Sequence, residues 1–252
     1  MPAYAEFSDP RLVAVYDTVC PLGDEKDFYL SLAAKVSART VIDLGCGTGL
    51  LTWEFARRGY HMIGAEPAAL MLEAAKRRFG DHPAEWIHGS ATALGRHDAD
   101  MAFMSGHVAQ FFLEDAEWQA ALSHLHAAVK PGGILAFESR NPDAPLFPGW
   151  PTAAAPERLH DPQAGPIEWW SHNLQRHGSR VRYEIHYRFP KTGEEIVSHN
   201  ELIFRSRAEI TQSLEDAGFA VQHVYGGWDE TPATATSPEM IFVASRPEAS
   251  GA

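Results

Sequence analysis

Short apolar runs recur through the first half of the chain, separated by stretches with apolar residues every three or four positions. The runs predict buried strands, and the stretches between them predict amphipathic helices. The predicted strands cover residues 40–44, 61–65, 85–88, 100–104 and 134–138. The predicted helices cover residues 50–58, 68–79 and 116–129, with two earlier helical segments around 12–16 and 26–36. Strands that alternate with helices predict a parallel, doubly wound α/β sheet covered on both faces.

The pattern changes after the fifth predicted strand. Residues 141–166 contain seven prolines and predict a long loop. Apolar and polar residues then alternate over 181–189, which predicts a strand with one buried face. The stretches 168–175 and 195–204 join it through short, turn-rich segments. Residues 142–205 therefore predict an antiparallel β insertion over one end of the sheet.

The C-terminal part returns to the pattern of the first half. Ser206 and Glu209 have the spacing of a capping box, ahead of a helix that ends near Gly218. Residues 220–225 and 240–244 supply two more strands. The sequence thus predicts a seven-stranded, mostly parallel, Rossmann-like sheet in a single domain over residues 1–252.

Composition and charge exclude several kinds of partner. The formal net charge of −12 has the wrong sign for a domain that binds a phosphate backbone, so we expect no nucleic acid partner. The chain has no run of about 18 apolar residues and no signal peptide, which predicts a cytoplasmic protein without a membrane contact. We expect a monomer or a homodimer.

The cysteines and histidines do not suggest a metal or a disulfide. Cys20 and Cys46 are too few for a disulfide framework, and we expect both to be reduced and buried. The 13 histidines are scattered, without close metal-ligand spacing, so no metal site is predicted.

A glycine-rich loop follows the first predicted strand, with the sequence D-L-G-C-G-T-G from Asp43 to Gly49. Glycines there let the backbone approach a ligand closely. A dinucleotide site requires its third glycine where this chain has Leu50, and Asp43 would repel a pyrophosphate. The ammonium group of S-adenosylmethionine (SAM) suits that carboxylate. Glu66 ends the second strand about 20 residues later, where an acid can accept both ribose hydroxyls.

These residues, together with Pro67, Met71 and the Pro131-Gly132-Gly133 turn, are similar to class I SAM-dependent methyltransferases. The resemblance implies that the first acid and the glycines hold the methionine part, that Glu66 holds the ribose, and that Met71 packs on the adenine. Ser90 stands where many members have Asp, which implies an adenine contact through the backbone. The predicted cofactor site comprises Asp43, Gly45, Cys46, Gly47, Glu66, Pro67, Met71, Ser90, Ala91 and Met104.

Three residues are candidates for catalysis at the C-terminal edge of the sheet, where ligands bind in such folds. His107 could act as a general base, or it could fix its loop or cap the next helix. Arg140 could hold a substrate carboxylate, or form a salt bridge in the lid. Tyr16 lies in a Tyr-Asp pair that resembles the helix closing over the cofactor in small-molecule methyltransferases, or it could serve packing alone.

The β insertion resembles the substrate-covering lids of sugar and other small-molecule methyltransferases. The N-P-P-Y type turn that the family uses for amines of nucleic-acid bases or proteins is replaced here by Ser105-Gly106-His107-Val108. We therefore predict methyl transfer from SAM to an oxygen or nitrogen of a small molecule, with S-adenosylhomocysteine as product. A SAM-binding regulatory protein and a nicotinamide-dependent oxidoreductase stay as alternatives.

Overall fold

A seven-stranded sheet forms the frame of the protein in the computed structural model, which describes residues 4–147 and 149–248. Position 148 of the predicted loop and the chain ends at 1–3 and 249–252 lie outside the described residues. The strands are β1 (Thr40–Leu44), β2 (His61–Glu66), β3 (Glu85–His88), β4 (Ala99–Met104), β5 (Val129–Arg140), β6 (Glu157–Asp161), β7 (Gly165–His177), β8 (Arg180–Phe189), β9 (Glu194–Ile203), β10 (Ala220–Tyr225) and β11 (Glu239–Ser245). The helices are α1 (Ala5–Ser8), α2 (Pro10–Val19), α3 (Glu25–Lys35), α4 (Leu50–Ala56), α5 (Ala69–Phe79), α6 (Asp115–Ala128) and α7 (Arg207–Asp216).

The strand order of the large sheet is β10-β11-β5-β4-β1-β2-β3, with β11 antiparallel to its neighbours. Helices α3 and α4 cover one face, where Tyr29 and Phe55 are fully buried. Helices α6 and α7 cover the other, where Trp118 and Leu214 are buried. Apolar side chains on both faces explain why the strands read as nearly continuous hydrophobic runs. The predicted doubly wound, mostly parallel sheet is confirmed; the assignment to a single domain stays a prediction.

The segment Lys130-Pro131-Gly132-Gly133 differs from its prediction as a turn ahead of the fifth strand. Strand β5 begins at Val129, and the segment forms an irregularity inside it, between the pairs Ala99–Val129 and Met101–Ile134. The backbone N–H of Gly132 donates to the carbonyl of Arg246 (2.8 Å), and the N–H of Arg246 donates to the carbonyl of Gly133 (2.8 Å). These bonds keep the segment in the sheet. The expected turn before the fifth strand is therefore an irregularity within β5.

The insertion is a separate antiparallel sheet, β6-β7-β8-β9, which we call the lid. Its strands lie within the predicted range 142–205. The sequence predicted three strands, but residues 157–161 form a fourth, β6, inside the predicted loop. This edge strand is mostly exposed and charged, so it carries no alternating apolar pattern. The inner face of the lid buries Tyr183 and Tyr187 against Leu12 and Val15 of α2.

Helices α1 and α2, with Tyr4, form a segment over residues 4–19 that we call the cover. Its first residues bond to the lid: the Tyr4 hydroxyl donates to the Glu201 carbonyl (2.7 Å), and the Ala5 N–H donates to Ser198 Oγ (3.1 Å). Farther along, Asp17 accepts hydrogen bonds from Thr48 Oγ1 (2.5 Å) and from the Arg78 guanidinium. The cover is therefore fastened to the lid at one end and to the glycine loop at the other.

Two expectations drawn from composition can be compared with the structure. Both cysteines are free; Cys46 is buried, but Cys20 is exposed, so its predicted burial was wrong. Cys20 is the residue directly after α2. None of the helices in the described residues is long and apolar enough to cross a membrane.

Candidate active site

A cavity of about 390 Å³ opens at the C-terminal edge of the sheet. Its floor comes from the glycine loop and the end of β2, and its roof comes from the cover. The residues that line it are Tyr4, Phe7, Ser8, Tyr16, Gly45, Gly47, Glu66, Pro67, Ala68, Ala69, Leu70, Met71, Ser105, Gly106, Val108 and Phe111. A mostly apolar wall with few polar groups is typical of a small-molecule site.

The glycine loop has the backbone conformation that requires glycine. Gly45 and Gly47 have φ values of +79° and +55°. A Cβ on Gly45 would lie 2.5 Å from Val108 Cγ2, so no side chain fits there. Next to Gly47, the nearest atom to such a Cβ is Met71 Cε at 3.5 Å, which leaves the backbone open to the cavity. A ligand can therefore lie directly against the loop.

Asp43 is the penultimate residue of β1, two positions before Gly45, and is 1% exposed. Its Oδ2 accepts a hydrogen bond from Thr52 Oγ1 (2.6 Å), whereas Oδ1 has no partner among the described residues. Burial raises the pKa of this carboxyl to about 7. A buried acceptor without a donor is costly, and a ligand ammonium or a water bound to one would satisfy it. Asp43 is not itself on the cavity wall, and its contact with the methionine end of SAM stays a prediction.

Glu66 ends β2 and lines the cavity with 7% of its surface exposed. One carboxylate oxygen accepts from the Gly47 N–H (3.0 Å) and the other from the Ala68 N–H (2.8 Å). Burial raises its pKa, and the two N–H donors oppose that rise. Each oxygen keeps a further lone pair for a ribose hydroxyl. Glu66 therefore joins the glycine loop to the start of α5 and can still bind a ligand.

The other predicted cofactor residues divide into two groups. Pro67 and Met71 line the cavity beside Glu66. Four others lie outside its walls: Cys46 and Met104 are buried, and Ser90 and Ala91 begin the short 3-10 turn after β3. Sequence reasoning missed the aromatic residues Tyr4, Phe7 and Phe111, because no motif distinguishes them from ordinary core positions.

Tyr16 of α2 lines the cavity from the cover. Its ring packs edge-on against Phe7, with centroids 5.9 Å apart. Burial raises the pKa of its hydroxyl well above the usual value, so the group stays neutral at physiological pH. A neutral phenol can donate to and accept from a ligand in the cavity.

His107 is not on the cavity wall. It is the N-cap of a short 3-10 helix over Val108–Phe111, with φ +61°. Its backbone N–H donates to Glu138 Oε1 (2.7 Å), and its Nε2 lies 3.0 Å from both carboxylate oxygens of Glu239. Glu138 also accepts from the Tyr29 hydroxyl. These contacts match the loop-fixing alternative, and the histidine is held by carboxylates rather than facing the cofactor cavity.

Arg140 ends β5, and its Nη1 donates to Gln110 Oε1 (3.0 Å). Its guanidinium lies 5.0 Å from the ring centroid of Phe147 and 5.9 Å from that of Trp150. No carboxylate of the described residues comes within 4.0 Å, so the salt bridge that was one alternative is not formed in this part of the chain. Arg140 does not line the cofactor cavity.

Comparison with known proteins indicates the family to which the chain belongs. Residues 41–133 match the family model described as a methyltransferase domain. An uncharacterized methyltransferase of Mycobacterium tuberculosis (strain ATCC 25618 / H37Rv) is 32% identical over 110 residues. That match covers 44% of this chain and only 55% of the relative, so it spans about half the length of that protein.

A longer match is to a dTDP-3-amino-3,6-dideoxy-alpha-D-glucopyranose N,N-dimethyltransferase of Streptomyces fradiae. The two chains are 30% identical over 233 residues, which cover 86% of this chain and 87% of the relative. Among solved structures, SAM-bound CalS10, an amino pentose methyltransferase from Micromonospora echinaspora, superposes with a TM-score of 0.68. It is 22% identical, and the match covers 92% of this chain and 96% of that one.

Proposed function

This chain belongs to the class I SAM-dependent methyltransferases, and we propose that it transfers the methyl group to an amino nitrogen of a small sugar-like acceptor. Membership of this family favours methyl transfer over the nicotinamide-dependent and the regulatory alternatives. The observation that carries the acceptor proposal is the cavity roof. The cover over residues 4–19 closes the cavity and is itself bonded to the lid. Such a roof suits a small substrate.

The polar side chains on the cavity wall favour an amine over a hydroxyl acceptor. They are Tyr4, Ser8, Tyr16, Glu66 and Ser105, and neither histidine nor lysine occurs among the described wall residues. A hydroxyl must lose its proton for efficient attack, and a group with a pKa near 7 does this best. An amine attacks in its neutral form, which is appreciably populated at neutral pH for a pKa near 8. The wall therefore suits a nucleophile that needs no base.

The protein contributes position more than chemistry. SAM supplies an electrophilic methyl carbon on a positively charged sulfur. Asp43 and the glycine loop hold the end of the cofactor that carries its ammonium group, and Glu66 holds the ribose. The neutral Tyr16 hydroxyl can accept a hydrogen bond from the acceptor amine and direct its lone pair. Holding two reactants in line in this way can supply several kcal/mol of the barrier reduction.

Relatives of comparable length support an amino sugar. The Streptomyces fradiae relative is named for dimethylation of an amino sugar nucleotide, and it aligns over 86% of this chain, lid included. The CalS10 structure shares the fold and is titled an amino pentose methyltransferase. Because the alignment includes the lid, the shared part extends to the region that covers the acceptor.

The test compares two acceptors that differ in one group. The purified protein is incubated with SAM and dTDP-3-amino-3,6-dideoxyglucose, or with its counterpart that carries a hydroxyl at that carbon. We expect mass spectrometry to show one or two added methyl groups on the amine alone. A Tyr16→Phe variant should have a lower kcat with nearly unchanged S-adenosylhomocysteine binding. If the hydroxyl compound is methylated instead, the proposal of an amine acceptor is refuted. If neither compound is methylated, the proposal of this sugar as acceptor is refuted.

A further inference from the structure

Arg140 is a largely buried cation with few protein partners. A guanidinium carries five N–H donors, and the only hydrogen bond it makes within the described residues goes to the neutral Gln110 amide. That amide is already used on its other side, because its Nε2 donates to the Ile203 carbonyl (3.2 Å). Burial lowers the pKa of Arg140, which reflects an unfavourable environment for the charge.

Another buried guanidinium in this chain is paired with a carboxylate. Arg205, 5% exposed, binds the Asp115 carboxylate (2.9 Å) and the Phe112 carbonyl (2.9 Å). The nearest acids to Arg140 are engaged elsewhere: Glu138 with Tyr29 and His107, and Glu239 with His107. These two carboxylates partly offset, from a distance, the unfavourable burial of the Arg140 charge. Neither of them accepts a hydrogen bond from the Arg140 guanidinium.

Arg140 lies beside residues of a second cavity, although it is not itself on the wall of either cavity. Its partner Gln110 precedes Phe111, which lines the cofactor cavity. On its other side, the guanidinium lies over the rings of Phe147 and Trp150. These two rings line a cavity of about 470 Å³, together with Tyr183 of the lid. The Nε and Nη2 atoms have no partner among the described residues and are not sealed from solvent.

We propose that Arg140 binds an anionic group of the acceptor, a phosphate or a carboxylate, and so determines its specificity. A planar guanidinium stacked on aromatic rings keeps its N–H edge free for two parallel hydrogen bonds to such a group. The aromatic rings hold the side chain in place, so little side-chain entropy is lost on binding. The proposal rests on the proposed function only in assigning the anion to the methyl acceptor.

The test uses sugars without an amine, so that it does not depend on the acceptor nitrogen. Protein saturated with S-adenosylhomocysteine is titrated calorimetrically with glucose 1-phosphate, glucuronate and uncharged glucose. We expect at least one of the two anions to bind more tightly than glucose, and the identity of that anion distinguishes phosphate from carboxylate. In Arg140→Gln this preference should fall by about tenfold or more, with partial retention in Arg140→Lys.

The control is Arg207→Gln, which removes an exposed arginine on α7 and should leave the preference unchanged. All three variants are first titrated with S-adenosylhomocysteine, which shows whether the cofactor site is folded. Equal binding of the anions and glucose by wild type, or a preference that survives in Arg140→Gln, would overturn the proposal. Either result would leave the amine acceptor untouched, because none of these probes carries an amine.

Discussion

Asp43 is a buried carboxylate whose protonation is coupled to folding. Its pKa rises from 3.8 to about 7 because burial disfavours the charged form. Between these values the folded chain keeps the proton and the unfolded chain loses it, so the free energy of unfolding falls as pH rises. This contribution is fully present below about pH 4 and is lost by about pH 7. Its size is about 4 kcal/mol.

The corresponding prediction concerns Asp43→Asn, which stays neutral at every pH and can still accept from Thr52. From pH 4 to pH 8 the stability of the variant relative to wild type should rise by up to about 4 kcal/mol. Urea unfolding at both pH values measures this difference. Asp27→Asn, at an exposed position on α3, should show no such change. A parallel pH dependence in wild type and Asp43→Asn would show that the carboxyl does not titrate with folding.

Glu66 provides the second prediction at the scale of a single residue. Glu66→Gln keeps the shape of the side chain but replaces one acceptor oxygen by an NH2 group, which faces backbone N–H donors. We expect S-adenosylhomocysteine binding to weaken by about 1 to 3 kcal/mol. Calorimetric titration measures the change, with Glu73→Gln on the exposed face of α5 as control. Unchanged affinity in Glu66→Gln would remove Glu66 from the ribose site.

The cover depends on one ion pair and one hydrogen bond at Asp17. The carboxylate accepts from Thr48 in the glycine loop and from Arg78 of α5, and Arg78 Nε donates to the Thr48 carbonyl (3.0 Å). This arrangement positions α2, and with it Tyr16, over the cofactor cavity. The group is about one third exposed, so its contribution is modest rather than that of a buried pair.

We predict that Asp17→Asn loosens the cover without unfolding the sheet. The apparent KM for SAM should rise by a few fold, corresponding to about 1 kcal/mol, because the cavity roof must be ordered when the cofactor binds. Steady-state kinetics on any accepted substrate, or titration with S-adenosylhomocysteine, measures the effect. Asp24→Asn, before α3 and without a side-chain bond to that helix, is the control. A melting temperature that falls with no change in affinity would refute a role in closing the cavity.

At the scale of elements, the sequence predicted the strands and helices of the frame to within about two residues, apart from β5, which begins five residues earlier than predicted. Buried strands and amphipathic helices have periodic patterns that survive whatever lies next to them. Strand β6 was not predicted, because an exposed edge strand needs only backbone bonds to its neighbour. Its residues Glu157–Asp161 show no alternation of apolar and polar side chains. The prediction of a turn before β5 failed because the bonds between Arg246 and the Gly132-Gly133 segment join residues over 100 positions apart.

The site was predicted less completely than the frame. Gly45, Gly47, Glu66, Pro67 and Met71 line the cavity because a local motif at a strand end determines where they lie. The roles of His107 and Arg140 depend on which side chains surround them, and those come from β11, the segment after β4 and the loop after β5. No local pattern encodes such contacts, which is why the sequence left two alternatives for each residue.

For the whole molecule, the cover connects the cofactor cavity to the lid. Asp17 joins it to the glycine loop, and Glu6 joins it to β9, where the Ser198 hydroxyl and Asn200 Nδ2 (3.0 Å) donate to its buried carboxylate. Burial raises the pKa of Glu6, and these donors oppose that rise. A ligand that orders the cover should therefore also order the lid.

We predict that S-adenosylhomocysteine slows backbone amide exchange in three places: the loop at 45–49, the cover and strand β9. Hydrogen–deuterium exchange with mass spectrometry measures it, and α7, on the far face of the sheet, should not change. Ser198→Ala removes one donor to Glu6 and the acceptor of the Ala5 N–H. In that variant, protection of β9 should diminish while the loop at 45–49 stays protected. Protection confined to the loop in wild type would mean that cofactor binding and lid order are independent, and that the lid responds to the acceptor alone.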